Sequence, residues 1–252
     1  MISPETGEGT TGALRLHREL PANARAVSIG CGTGEKERKL LHAGVVDSFD
    51  LYEISEDRAK IALGCAHAEG LGERVRVLQD DALKKNVDRQ YDIVYWDHAL
   101  HHMLDVDRAV SWSVGALRAG GLLVVNDYIG PTRLQMPRNQ ILLARQFLDD
   151  HHDRLQIPSD TIAFSSLFTR VRQIYRDPSE APQSDRIESA CMKHCGPFLR
   201  PIGGAMIHLC GPFVTDIEDQ NDPILQSLID WDREVLAMGI AHFAFGVWRR
   251  PD

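Results

Sequence analysis

The sequence predicts an α/β protein built on a doubly wound, mostly parallel sheet, with a helical elaboration after the fifth strand. Two observations carry this. From Ala24 to Asn126, short apolar runs alternate with helically spaced segments, the pattern left by buried parallel strands and their crossover helices. Beyond Gly130 the alternation stops, and it resumes only after residue 200.

The runs RAVSIG, SFDLY, RVRVL, YDIVYW and GLLVVN are the five strands. Between them, Ala59, Ala62, Leu63 and Ala66 keep helical spacing after an N-cap at Ser55. Val106, Ala109, Val110 and Leu117 do so after Asp105 and before Gly120. Near the end, Asp222-Pro223 opens a helix that Gly239 closes, and AHFAFGVW supplies a last strand. Residues 131–200 are expected to be mainly helical, punctuated at DPSEAPQSD, and attached near the carboxyl ends of the strands, where ligands bind in open α/β sheets. Residues 1–130 and 201–252 then hold the N-terminal segment with the ligand-binding half, and the C-terminal helices with the last strand.

At 252 residues with 43% hydrophobic content, one domain with an elaboration is expected, and its core is sizeable. A net charge of -8 exerts no general pull on phosphates, which argues against nucleic acid and anionic membrane as partners. No apolar run reaches the ~18 residues of a spanning helix. The first residues carry Glu5, Glu8 and Glu19 without an apolar signal core, so a cytoplasmic protein is expected. Five cysteines, sparse and odd in number, suit reduced thiols.

The first run ends in GCGTG, Gly30 to Gly34, directly before a helical stretch starting at Glu35. Such a loop lets backbone approach a ligand closely. A dinucleotide loop would need glycine where Glu35 stands, and an acid there repels phosphate, which disfavours a nicotinamide-dependent oxidoreductase. Glu53, 23 positions after Gly30, ends the second run, where a carboxylate can accept from both hydroxyls of a ribose. Asp81, followed by Ala82, ends the third and suits an adenine amino group. Taken singly, Glu53 could be a solvated helix-start acid and Asp81 a turn residue; their order along three strand ends argues for a site.

The segments VSIGCGTG, YEIS, QDDA, YDIVYWDHALHH and LRAGGLLVVNDY, over about residues 24–128, resemble the motif series of class I S-adenosylmethionine-dependent methyltransferases. The resemblance implies a seven-stranded Rossmann-like sheet and S-adenosyl-L-methionine as cofactor. It implies that Gly30, Gly32 and Gly34 take the methionine part, Glu53 the ribose and Asp81 the adenine amino group, with Cys31, Ile54, Ala82 and Asp97 completing the cofactor site. The family usually carries an acid two residues before the first glycine; here it is Ser28, so one contact to the cofactor ammonium is expected to be lost or water-mediated. Ala119 replaces the usual proline before the double glycine. DYIGPTRLQ (127–135), DPSEAPQSD (177–185) and Gly203-Gly204 more loosely resemble methyltransferases found with polysaccharide and sugar-modification systems.

Methyl transfer from a sulfonium is an in-line displacement, so the protein must align the partners and, for a hydroxyl acceptor, remove a proton. His98, His101 and His102 follow the fourth run and would share a face if the segment turned helically. His98 is the first candidate base and His101 the second; the bland alternative is that they pack and pin the loop. Asp127, Tyr128 and Arg133 are candidates for the acceptor pocket, with a plain loop role for Arg133 equally open. Cys191, His194, Cys195, His208 and Cys210 lack a standard zinc spacing, and DDHHD at 149–153 suits a charged helix end, so no metal site is assigned. The expected activity is O-methylation of a small hydroxylated acceptor, a sugar unit or a secondary metabolite. An N- or C-methyltransferase and a non-catalytic cofactor-binding module are the rivals, and homodimerisation stays open.

Overall fold

The computed structural model describes residues 20–21 and 23–252. Glu5, Glu8 and Glu19, which carried the expectation about the start of the chain, lie outside the described residues. Strands β1 (Arg25–Ile29), β2 (Ser48–Tyr52), β3 (Val75–Leu78), β4 (Tyr91–Asp97), β5 (Leu117–Tyr128), β6 (Arg200–Gly203) and β7 (Phe243–Arg249) form one sheet in the order β3-β2-β1-β4-β5-β7-β6. β1 to β5 are parallel; β7 runs antiparallel to β5, and β6 antiparallel to β7. The expected doubly wound sheet is present, and its strand order reverses between β1 and β4, the switch point where such sheets bind ligands.

The central strands are apolar on both faces because helices cover both. Ile93, Val94, Tyr95 and Trp96 of β4 are buried. Helices α1 (Glu35–His42), α2 (Glu56–Ala68) and α3 (Val106–Ala116) are the crossovers. The expected N-caps hold: Ser55 Oγ accepts from Arg58 N at 3.4 Å and Asp105 Oδ1 from Arg108 N at 2.9 Å. α3 ends one residue earlier than its spacing suggested, because Leu117 opens β5.

After β5 come α4 (Arg138–Asp150), α5 (His152–Leu155), α6 (Leu167–Arg176) and α7 (Ile187–Cys195), then β6, α8 (Ala205–Cys210) and α9 (Pro223–Ala237). β6 has no counterpart among the strands expected from the sequence. RPIG has no alternation and contains Pro201, which is tolerated because this is an edge strand. α4, α8 and α9 share one apolar cluster with Tyr128, through Ile141, Phe147, Met206 and Leu228 among others. Helices on both sides of residue 200 are therefore packed as one unit, whereas α7 packs Ile187, Ala190 and Cys191 against α3, in the cluster that covers one face of the sheet.

The Gly203-Gly204 pair turns the chain from β6 into α8. Gly204 has φ +81, and a Cβ there would stand 2.4 Å from the Phe243 ring. Its N–H donates to Asp232 Oδ2 at 2.7 Å, and Met206 N donates to Asp232 Oδ1 at 2.8 Å. Asp232, buried on α9, thus caps α8 from a distance. Asp232→Ala strands two buried donors and should cost about 2 to 4 kcal/mol in urea unfolding. A loss under about 0.5 kcal/mol would mean that the cap is dispensable.

Candidate active site at the sheet switch point

The glycine loop hangs on the end of β2. Gly30 N and Cys31 N both donate to Tyr52 O, at 2.8 and 3.3 Å. Gly30 has φ +67, and a Cβ there would come within 2.9 Å of Ala99 Cβ, so the loop lies against the segment after β4. Gly32 N donates to Glu53 Oε2 at 2.8 Å, and Ser55 N donates to Oε1 at 2.8 Å. Glu53 is buried and clamps the loop, yet each of its oxygens keeps lone-pair capacity for a ligand hydroxyl. A Cβ on Gly32 meets nothing within 4 Å, so the space above the loop is open. Gly34 is the left-handed N-cap of α1.

Beside this clamp, Ile54 is 77% exposed, an apolar side chain facing solvent immediately after the buried acid. Asp81 Oδ1 accepts from Leu83 N at 3.0 Å, capping the single turn Ala82–Lys84, with Ala82 buried beneath it. Asp97 ends β4, accepting from Tyr95 Oη at 2.6 Å, Lys36 Nζ at 2.5 Å and Asn126 Nδ2 at 3.1 Å. Cys31 is half-buried, and burial, aided by the Glu37 and Glu53 carboxylates, pushes its thiol up.

Ser28, where the resemblance led to an acid being expected, is bonded to an acid from another element. Ser28 Oγ donates to Glu37 Oε1 at 2.6 Å, and Glu37, on α1, is 3% exposed. Burial raises its carboxyl to about 7; the Ser28 hydrogen bond pulls the other way, and the Asp97 charge adds to the rise. Sequence reasoning missed it because an acid in a helix's first turn ordinarily reads as a solvated residue favoured by the dipole. The signal was the coincidence of a serine at the expected acid position and a second acid one turn into the next helix.

The three histidines do not share a face. His98 takes a left-handed conformation, φ 54, so it stands apart from the single turn Leu100–His102. Its ring packs 5.6 Å from that of Phe243, and Nε2 lies 3.7 Å from Asp97 Oδ1. Burial, then the nearby Lys36 charge, holds its imidazole below the ordinary range. His101 is buried, with Nδ1 2.5 Å from Asp127 Oδ1 and Nε2 3.7 Å from Glu180 Oε1. Burial alone would lower it, but Asp127, Glu180 and Asp177 outweigh that and hold it above the ordinary range.

Asp127 and Tyr128, expected as candidates for the acceptor pocket, are both buried. Asp127 is fully buried, and its oxygens accept from Ala99 N, Leu100 N, His101 N and Tyr128 N. Tyr128 is buried, its Oη donating to Pro131 O at 3.1 Å. Arg133 holds the loop before α7: Nη1 donates to Pro178 O at 2.5 Å and Glu180 O at 3.2 Å.

The cysteine-histidine set weighed in the sequence is not gathered. His194 pairs with Asp107, His208 stands 3.3 Å from His242, and Cys210 Sγ faces Ala144 O. His151 of DDHHD bonds Phe147 O.

Residues 27–125 match the family model described as Methyltransferase domain. The 27-O-demethylrifamycin SV methyltransferase of Amycolatopsis mediterranei (strain S699) is 31% identical over 118 residues, covering 46% of this chain and 43% of that protein. Methyltransferase GfsG of Streptomyces halstedii is 26% identical over 126 residues, 50% of this chain and 45% of that one. The chain thus spans less than half the length of these curated relatives. The solved phosphoethanolamine N-methyltransferase 2 of Haemonchus contortus, in complex with S-adenosyl-L-methionine, superposes with a TM-score of 0.56 at 14% identity, over 95% of this chain and 51% of that one. Residues 27–125 thus match a methyltransferase domain, and the chain shares its fold with solved methyltransferases.

Two outcomes follow from this geometry. Glu53→Ala should weaken cofactor binding by about 1.5 to 3 kcal/mol in calorimetry, through the lost charged acceptor and the released Gly32. An unchanged dissociation constant in a folded variant removes Glu53 from the site. Glu37, half-ionised near pH 7, should also make binding pH-dependent. A cationic ammonium favours its ionised form, so affinity should rise between about pH 6 and 8, and Glu37→Gln should flatten that rise. A slope that persists in Glu37→Gln assigns it to another group.

Proposed function

We propose that the chain is an S-adenosylmethionine-dependent methyltransferase acting on a hydroxyl of a small acceptor, a sugar unit or a secondary metabolite. The observation that carries the reading is the mutual contact of the glycine loop, Glu53 and the segment after β4 at the switch point, with a cavity opening at His98 in that segment. That cavity, about 290 Å³, is lined by His98, Asn126, Ile202, Gly203, Gly204 and Phe243 among others, at the low end of small-ligand pockets. The O-demethylated substrate named for the Amycolatopsis relative and the sugar-system resemblance of residues 127–135 and 177–185 support the acceptor class. Residues 131–200 then serve as an acceptor cap. Five free cysteines, and the lack of any helix among the described residues long and apolar enough to cross a membrane, are compatible with the cytoplasm.

The cofactor supplies an electrophilic methyl on a sulfonium. Gly30, Cys31, Gly32 and Gly34 cradle its methionine part, Glu37 and Asp97 provide negative charge near the ammonium, Glu53 accepts from the ribose, and Ile54 and Ala82 flank the adenine while Asp81 accepts from its amino group. His98 takes the acceptor's proton. Its imidazole is held neutral at pH 7, its side chain is 44% exposed, and it lines the cavity. His101, the second candidate, is the poorer base because Asp127 and Glu180 favour its protonated form.

Incubating the chain with a labelled methyl donor and a metabolite pool tests the activity. Label on a carbon or nitrogen moves the assignment to the rival transfer, and no label despite cofactor binding makes the chain a binding module. His98→Ala should lower turnover about 10² to 10⁴-fold with cofactor affinity nearly unchanged. In the wild type the acid limb of turnover should lie below pH 6.5, because the base must be deprotonated and its pKa is depressed. Full turnover in His98→Ala would show that the proton leaves by another route.

A further inference from the structure

Outside the cofactor cradle, one cluster brings together side chains from two distant parts of the chain. Among the described residues, His101, His102 and Glu180 form the group of metal-ligating types whose ligand atoms all lie within 4.8 Å of one another. The two imidazole rings stand 4.1 Å apart.

Their hydrogen bonds fix which nitrogens are available. His102 Nδ1 lies 3.2 Å from Ser179 O, and a carbonyl only accepts, so Nδ1 carries the proton and Nε2 keeps its lone pair. His101 Nδ1 likewise faces the Asp127 carboxylate, leaving Nε2 toward Glu180. A ring whose far nitrogen donates to a carboxylate or a backbone carbonyl is the arrangement that orients metal-binding histidines. The Glu180 carboxylate faces His101 Nε2, a position that a proton fills in the absence of metal and that a metal cation can take in its place.

The loop that brings Glu180 is held before any ligand arrives. Arg133 Nη1 donates to Pro178 O and Glu180 O, Arg133 N donates to Ala181 O at 2.7 Å, and Asp177 Oδ1 accepts from Ser179 N at 2.8 Å. Ligands about 2.1 Å from one ion stand at most about 4.2 Å apart, so the site needs a contraction that rotation of the partly exposed Glu180 supplies.

We propose that His101, His102 and Glu180 bind one divalent transition-metal ion whose open coordination positions take oxygen of the acceptor. Two imidazoles and one carboxylate suit zinc or its first-row neighbours better than magnesium or calcium, and three protein ligands leave room for outside oxygens. The ion displaces the proton from His101 Nε2. Its binding stands on the cluster alone; its task toward the acceptor rests on the function proposed above.

The test is calorimetric titration of the full chain, pretreated with chelator, with zinc chloride. One equivalent should bind, and His102→Ala and Glu180→Gln should each weaken it at least tenfold, on the scale of losing a ligand or its support. Both side chains are partly exposed, so the variants should fold, which thermal melting checks. S-adenosylhomocysteine binding to the same samples is the independent readout. If it binds while zinc does not, or if zinc binds both variants as it binds the wild type, the metal site is overturned while the methyltransferase reading stands. Loss of S-adenosylhomocysteine binding beside intact one-to-one zinc binding would overturn the methyltransferase reading and keep the metal site.

Discussion

The Asp127 carboxylate, fully buried at the end of β5, is the constraint on which the site's architecture depends. A buried charge is tolerated only when its lone pairs are met, and here the N–H groups of Ala99, Leu100, His101 and Tyr128 and the His101 ring all turn toward it. Four of these five donors come from the segment directly after β4. The chain there is folded around one carboxylate, and that sets Ala99 under the glycine loop and orients His101.

A second buried acid does the same on the cofactor side. Glu53 joins the glycine loop to the start of α2 through Gly32 N and Ser55 N, while Glu37 reaches Ser28 from α1. The cradle is consequently rimmed by carboxylates from three elements, counterbalanced by Lys36 on Asp97. Such an environment suits a ligand with a cationic ammonium and sulfonium and rejects a pyrophosphate. The preference reaches back to Glu35, which stands where a dinucleotide loop needs glycine.

The elaboration is attached by polar clamps. Arg133 grips the 178–181 backbone, Ser184 Oγ donates to Gly130 O, and Thr132 Oγ1 donates to Asp185 Oδ1. These ties join the chain just after β5 to the loop before α7, which places Glu180 and Ser179 against His101 and His102. The sugar-system resemblance in the sequence falls on the two segments that clamp each other.

Sequence alone determined the parallel half of the sheet, the caps of α2, α3 and α9, and the positions of Gly30, Gly32, Glu53 and Asp81 at strand ends. Those are local matters: strand hydrophobicity, cap chemistry and glycine placement are written within a few neighbouring residues. β6 was not legible, because RPIG is a strand only through pairing with β7. Glu37 was not, because its burial depends on Ser28 nine positions away across a turn. The histidines divided differently from their spacing, since His98 adopts positive φ while His101 and His102 are captured by Asp127 and Ser179. Asp127 passed for a pocket residue in sequence, and it is structural because four donors from the segment after β4 converge on it. Tertiary structure alone decided these points, for a buried polar group takes its role from the partners that satisfy it, and those partners are distant in the chain.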